Sequence, residues 1–156
     1  MTAVTNTSPL CYLVLIGCEA ILPKICRSVA TTQTVVDELR HADAPHMVRA
    51  WAVRPAAWLV IHPDPPNDLA LSSLHAGERT AILLAEQLRA DTVILDELAA
   101  RALATQRGHK VVGLLGLLAH AADAGLINLG DAIARLRQTS FRASPTLLRS
   151  LLSRRK

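Results

Sequence analysis

Aromatic residues are scarce in this chain of 156 residues. They make up 3% of the sequence and are Tyr12, Trp51, Trp58 and Phe141. A module that holds single-stranded nucleic acid mainly by stacking bases needs several exposed aromatic rings. The composition therefore argues against a binding domain of that kind, and we expect both tryptophans to pack between a middle helix and a sheet.

Metal-binding patterns of cysteine and histidine are also missing. Cys11, Cys18 and Cys26 form no CxxC pair, and an odd number of cysteines does not suit a disulfide framework. The six histidines are dispersed and show neither HxH nor HExxH spacing. We therefore expect no zinc site, and we expect three buried, reduced thiols in a cytoplasmic protein.

No part of the sequence is apolar for long enough to span a bilayer. The longest apolar region, VVGLLGLLAHAADAGLI, is interrupted by His120 and Asp123. The first residues also lack the basic segment and apolar stretch of a signal peptide. We expect a soluble, cytoplasmic protein with no membrane partner.

The charge balance is moderately basic. The formal net charge is +4 and the pI is about 9.4, which permits a polyanionic partner without requiring one. Part of the excess lies in a basic C-terminal tail that starts at about residue 149, for which a solvated chain end is the simpler interpretation. Its basic residues are Arg149, Arg154, Arg155 and Lys156.

Short apolar runs alternate with helical patterns, which is typical of an α/β fold with a parallel sheet in a single domain over residues 1–156. Ser8 and Thr34 are the predicted N-caps of the helices that follow the first two strands. Further helices are predicted at 46–53, 77–88 and 98–106. Strands are predicted at 3–5, at about 28–30, and in WLVIH, TVIL and KVV.

Polar residues fall where the predicted strands end and the next helices begin, and in a parallel sheet these positions share one edge. Oxygen ligands without histidine or cysteine suit a hard cation such as Mg²⁺ or Mn²⁺. Such a site can clamp phosphates and activate water for phosphodiester hydrolysis. A simple interaction with the helix dipole is the alternative for each acid taken alone. The residues are Asn6, Glu38, Glu78, Asp96 and Glu97.

The motifs NTSPL, VVDEL, GERTAILLA, VILDELAAR and VVGLLGLLAHAADAGLI occur in an order that resembles the PIN-domain family. The resemblance runs from Val4 to about Leu152. It is strongest to an uncharacterised bacterial and archaeal branch related to the VapC-like ribonucleases of toxin–antitoxin pairs. It implies a three-layer α/β/α fold with a central parallel sheet, and a cluster of acids that binds Mg²⁺ or Mn²⁺.

Carried over to this sequence, the resemblance implies catalytic roles for Glu38, Glu78 and Asp96. The same three acids are implied metal ligands, together with Asn6 and Glu97. Asn6 stands where most of the family has its first aspartate, and Glu97 stands where this branch often has a further acid. These assignments imply a metal-dependent endoribonuclease.

The resemblance also implies substrate contacts and partners. Thr7 and Ser8 match small hydroxyl residues beside the first acid, and Arg101 matches an arginine that can hold a carboxylate or a phosphate. The implied substrate is RNA. A small antitoxin protein and a second copy of the chain are the further implied partners.

Asn6 leaves a second function open, because an amide oxygen can bind Mg²⁺ but adds no charge and cannot act as a base. The leading hypothesis is a ribonuclease that serves as the toxin of a toxin–antitoxin module. The alternative is a catalytically impaired PIN-like module that binds RNA or a protein. An aspartyl phosphatase is disfavoured, because its nucleophilic aspartate would have to stand at Asn6.

Overall fold

The computed structural model describes residues 1–153. Five strands form one sheet in the order β3-β2-β1-β4-β5, numbered along the chain, and every neighbouring pair is parallel. The strands are β1 (Thr2–Thr5), β2 (Ser28–Thr32), β3 (Leu59–His62), β4 (Thr92–Ile94) and β5 (Val111–Val112). The predicted parallel sheet is confirmed.

Helices follow the strands, and a short 3-10 turn (Leu69–Leu71) precedes the longest of them. The helices are α1 (Thr7–Leu15), α2 (Ile21–Ile25), α3 (Gln33–Leu39), α4 (His46–Val53), α5 (Ala76–Leu88), α6 (Leu98–Gln106), α7 (Leu114–Asp123), α8 (Leu129–Leu136) and α9 (Pro145–Ser153).

The helices cover both faces of the sheet and give the three α/β/α layers that the sequence predicted. Successive side chains of a strand point to opposite faces. Ala3 of β1 therefore packs in the core formed with α1, α7 and α8, whereas Val4 packs in the core formed with α5 and α6. Both cores are dominated by aliphatic side chains with little or no exposed surface.

β1 is the point at which the strand order reverses. It pairs with β2 on one side and with β4 on the other. A ligand-binding crevice is expected at the carboxyl ends of the strands at such a point. Asn6, directly after β1, donates its backbone N–H to the carbonyl of Ile94 in β4 at 3.1 Å. This bond holds the two strand ends together at the edge where the candidate residues lie.

Two helix starts differ from the prediction. Asn6 is the N-cap residue of α1, so Ser8 lies inside the first turn. The cap of α3 is Thr32, whose hydroxyl oxygen accepts the N–H of Val35 at 3.2 Å. Thr34 instead donates its N–H and its hydroxyl to Asp64 in the proline-rich loop after β3.

The remaining expectations concern the cysteines, the tryptophans and the tail. All three cysteines are free thiols, and burial raises the pKa of each. Cys18 and Cys26 are buried as expected, whereas Cys11 is only half-buried. Trp51 and Trp58 form a tilted pair with ring centroids 6.2 Å apart, packed against the core on the α1 side. Arg149 is an exposed residue of α9, and the rest of the predicted basic tail lies outside the described residues. Among residues 1–153, no helix has the length and apolar character needed to cross a membrane.

Candidate functional site

Three side-chain oxygens gather above Gly77 in the first turn of α5. A Cβ atom at this residue would lie 2.8 Å from Thr7 Oγ1 and 3.0 Å from Asn6 Oδ1, and it would collide with Glu38 Oε1. The Thr7 hydroxyl donates a hydrogen bond to the same Glu38 oxygen. Glycine is needed here because a side chain would fill the space that these oxygens share.

Asn6 is 4% exposed, and its Oδ1 has no hydrogen-bond partner in the described part of the chain. A buried polar atom without a partner costs free energy, so native structures rarely keep one without a reason. Its neighbours at the Gly77 position are the Thr7 hydroxyl and the Glu38 carboxylate. An oxygen in this environment is suited to contact a cation.

Glu78 adds a second carboxylate to this edge. The side chain is 6% exposed, and its Oε1 accepts the backbone N–H of His75 at 3.1 Å. Burial is the main cause that raises the pKa of Glu78, and the negative charges of Glu97 and Glu38 raise it further. Glu78 therefore lies within electrostatic reach of both acids.

Asp96 follows the end of β4. Its Oδ1 accepts the N–H of Leu114, the first residue of α7, at 2.8 Å, while its Oδ2 is buried and has no partner within residues 1–153. Burial raises the pKa of the Asp96 carboxyl, the Leu114 hydrogen bond and the Arg101 charge lower it, and the Glu97 charge raises it. The carboxylate is held in place by one oxygen and leaves the other unpaired.

A second glycine shapes the Asp96 side of the site. A Cβ atom on Gly113 would collide with Arg101 Nη1 and lie 3.1 Å from Asp96 Oδ1. Gly113 thus lets the Arg101 guanidinium lie against the backbone beside the aspartate. Arg101 and Ser8 also line the cavity that Asp96 and Glu97 border.

The structure brings the predicted residues together in two neighbouring groups at one edge of the sheet. One group surrounds Gly77 and the other surrounds Gly113, and the charges of Glu78 and Glu97 act across the space between them. Within residues 1–153, no three His, Cys, Asp or Glu side chains are close enough to hold an ion by themselves. A cation at this edge would therefore depend on the Asn6 amide oxygen as well as on carboxylates.

Some features of the site differ from the sequence prediction or were missed. Glu38 is the sixth residue of the seven-residue α3, so it is not part of that helix's first turn. Gly77 and Gly113 were not predicted as site residues. The indication available in the sequence was their position, since each stands beside the start of a helix that follows a polar loop or a strand end.

Residues 2–156 match the family model DUF3368, described as a PIN domain. The chain belongs to the PIN-domain family. PIN domains are typically nucleases that use divalent metal ions, and they act on RNA in many cases. No curated protein matches the chain.

A solved structure shows the same PIN-like fold. It is a PilT N-terminus domain protein, SSO1118, from the hyperthermophilic archaeon Sulfolobus solfataricus P2. The similarity has a TM-score of 0.56 at 17% sequence identity and covers 78% of this chain and 93% of that chain. At this identity the likeness concerns the fold alone.

Proposed function

We propose that this PIN domain is a metal-dependent endoribonuclease that hydrolyses phosphodiester bonds. One observation carries the proposal. Among residues 1–153, Asn6 Oδ1 and Asp96 Oδ2 are buried oxygens without hydrogen-bond partners, and they stand after the adjacent parallel strands β1 and β4. Glu38 lies on the Asn6 side of this edge, at the Gly77 position, and the negative charges of Glu97 and Glu38 act on the Glu78 carboxyl. The edge therefore concentrates negative charge that a cation would neutralise.

The donor set fits Mg²⁺ or Mn²⁺. Asn6, Glu38, Glu78 and Asp96 offer only oxygen atoms, which hard cations prefer, and the exposed Glu97 would contribute from the rim. Held by these residues, an ion of this kind would supply polarisation of a phosphodiester and activation of a water molecule. Burial raises the pKa of both Glu78 and Asp96, so their charged forms would be favoured by a cation that enters the site.

The neighbouring side chains would orient the acids and the substrate. The Thr7 hydroxyl donates a hydrogen bond to Glu38 and fixes one oxygen of that carboxylate. Arg101 lies beside Asp96 and borders the cavity, where its guanidinium can bind a phosphate group with two parallel hydrogen bonds. Ser8 lines the same cavity and can donate a hydrogen bond to the substrate.

Asn6 favours a second candidate, a PIN domain that binds RNA without cutting it. An amide contributes no negative charge, so a cation at this edge would be held less tightly than by a fourth carboxylate. Both candidates predict RNA binding at the same edge. They differ in whether the RNA is hydrolysed.

A cleavage assay decides between these candidates. A panel of labelled single-stranded RNAs is incubated with the protein in Mn²⁺, in Mg²⁺ and in chelator. Cleavage is expected with metal only, and Asp96→Asn should lower its rate by about 100-fold. Asp43→Asn is the matched control, because that side chain is 93% exposed and outside the site.

Two outcomes would contradict the nuclease proposal. Cleavage that persists in chelator would place the chemistry elsewhere. A wild-type protein that binds the RNAs but leaves them intact with Mn²⁺ would make the binding module the better conclusion.

We further propose that the nuclease is the toxin of a toxin–antitoxin module, with a small antitoxin protein as partner. The resemblance to the toxin-related branch supports this role. Induced expression in a bacterial host should stop growth, and Asp96→Asn should abolish the effect. Co-expression of a small protein encoded beside this gene should restore growth, and toxicity that no neighbouring reading frame relieves would argue against the module.

A further inference from the structure

A cavity of about 580 Å³ opens beside Asp96 and Glu97. Its walls come from the start of α1, the end of β5, the first residues of α7, and the segment 140–143 between α8 and α9. The volume falls in the range of about 300–1,000 Å³ that is usual for sites binding small ligands. The acids form only one side of this cavity, and the rest of its lining has a different character.

Part of the cavity lining is aromatic. Tyr12 and Phe141 both line the cavity, with ring centroids 5.3 Å apart and ring planes at 79°. The Tyr12 and Ser140 hydroxyl oxygens are 2.9 Å apart and hydrogen-bonded. These contacts attach the segment 140–143 to α1 and keep an aromatic surface at the cavity. Two of the four aromatic residues of the chain thus line this cavity.

Two arginines add positive charge to the same cavity. Arg142 is exposed and follows Phe141 directly, and Arg101 lies near Asp96. Within residues 1–153, the Arg142 side chain makes no hydrogen bond and no ion pair. An exposed guanidinium without a partner, beside an aromatic wall, can donate hydrogen bonds to a phosphate group.

We propose that this cavity is a nucleotide subsite for single-stranded RNA. The Tyr12–Phe141 pair contacts the base, and Arg142 binds the phosphate of a nucleotide next to the bond that is cut. The inference rests on the proposed function, because it takes RNA to be the substrate, and it adds the residues that hold the strand. A single strand fits and a duplex does not, because paired and stacked bases cannot present a face to an aromatic wall.

The test measures binding without cleavage. A fluorescently labelled short single-stranded RNA is titrated with the full chain in chelator, and anisotropy is followed at several salt concentrations. Arg142→Gln should weaken binding about fivefold to tenfold and lower the slope of log K against log salt by about 0.7, the value for one phosphate contact on a single strand. Arg27→Gln makes the same charge change before β2, at the opposite edge of the sheet.

Phe141→Leu separates the base contact from the phosphate contact. Leucine preserves most of the apolar packing and removes the aromatic face, so affinity should fall about fivefold with an unchanged salt slope. Thermal unfolding of each variant shows whether the fold is retained. Tyr12→Phe keeps the ring and loses only the bond to Ser140, so it should bind RNA more tightly than Phe141→Leu does.

The outcomes separate this subsite from the nuclease proposal. A protein that cuts RNA while Arg142→Gln and Phe141→Leu bind like the wild type has the proposed function and lacks the subsite. A protein that shows both binding effects but never cuts keeps the subsite and loses the catalysis. The proposal would be overturned if Arg27→Gln weakened RNA binding as much as Arg142→Gln does. It would also be overturned if polyglutamate displaced the labelled RNA as well as unlabelled RNA does, because both results would show general charge attraction and not a specific subsite.

Discussion

The Thr7 hydroxyl donates a hydrogen bond to Glu38 Oε1. This bond joins the first residue of α1 to α3 across 31 positions of the chain. The bond fixes one oxygen of a carboxylate that lies among the Gly77 group of oxygens. Thr7 is therefore a positioning residue for Glu38. The position of the Glu38 carboxylate in the Gly77 group therefore depends on the hydrogen bond from the Thr7 hydroxyl.

Thr7→Val should remove the hydrogen bond to Glu38 while keeping nearly the same side-chain shape. We expect the free energy of unfolding to fall by about 1–2 kcal/mol, because a hydrogen bond to a charged acceptor is lost in a partly buried place. Urea denaturation measures the change. Thr105→Val in the exposed face of α6 is the control, and an equal effect of both substitutions would show that the Thr7 bond is not specifically stabilising.

Asn6→Asp should strengthen cation binding and weaken the metal-free fold. One added charge about 4 Å from a cation is worth roughly 4 kcal/mol per unit charge at an effective dielectric near 20. Desolvation and repulsion from Glu38 and Glu78 offset much of this, so we expect a net gain of about 1–2 kcal/mol, or roughly tenfold in affinity for Mn²⁺.

Calorimetric titration with Mn²⁺ measures this gain, and thermal unfolding in chelator measures the loss. Asn128→Asp is the matched control, since Asn128 is also an N-cap residue, at the start of α8. Unchanged Mn²⁺ affinity in a folded Asn6→Asp protein would remove Asn6 from the set of ligands.

Gly77→Ala should abolish the response to metal while the protein stays folded. The new methyl group would occupy the space between Asn6, Thr7 and Glu38, and the long Glu38 side chain can move aside to relieve the contact. Alanine also favours a helix over glycine by up to about 1 kcal/mol. We expect a similar melting temperature in chelator and little or no rise on adding Mn²⁺.

Gly130→Ala controls for the helix effect, because both glycines are the second residue of their helices. This variant should keep the full stabilisation by Mn²⁺. If Gly77→Ala responds to Mn²⁺ as strongly as Gly130→Ala does, the ion does not bind among these oxygens.

Arg107 should stabilise the protein in a pH-dependent way, independently of the site. Its guanidinium binds both Glu86 oxygens and Asp68 Oδ2, the latter at 2.9 Å. The hydrogen bonds from Arg107 to Glu86 lower the pKa of Glu86 below its ordinary value of 4.5, and the bond to His109 lowers it further. The stabilisation is therefore present above pH 4.5 and is lost as the pH falls through the lowered pKa.

Arg107→Gln should cost about 0.5–1 kcal/mol of unfolding free energy at pH 7, a small value because the partners are partly exposed. The difference from the wild type should shrink in strong acid. Urea denaturation between pH 3 and pH 7 measures this difference in unfolding free energy. Arg149→Gln is the control, because Arg149 is an exposed residue of α9. A difference that is the same at every pH would show that packing of the arginine and not the ion pair is responsible.

The sequence by itself was sufficient for the architecture. Apolar runs of two to five residues alternating with amphipathic segments require strands and covering helices, and this pattern is local. The parallel order then places the residues after β1 and β4, Asn6 and Asp96, on one edge. The family motifs pointed to the same residues, because the spacing between strand ends and helix starts follows from the topology.

The caps show where local patterns stop being decisive. Thr32 and Thr34 are both suitable N-caps by residue type, and Thr34 also has an acid three residues later. The structure gives the cap to Thr32, because Thr34 donates to Asp64, which lies 30 positions further along the chain. No window around Thr34 contains that partner.

Only the tertiary structure decided how the side chains meet. Three contacts join distant parts of the chain: the oxygens above Gly77, the guanidinium against Gly113, and the hydrogen bond between Tyr12 and Ser140, which are 128 positions apart. Periodicity determines which face of a helix is buried, but the approach of two helices depends on how every side chain between them packs. For that reason the sequence identified the acids of the edge, and the packing of α1, α3, α5 and α7 determined which of their oxygens lack a partner.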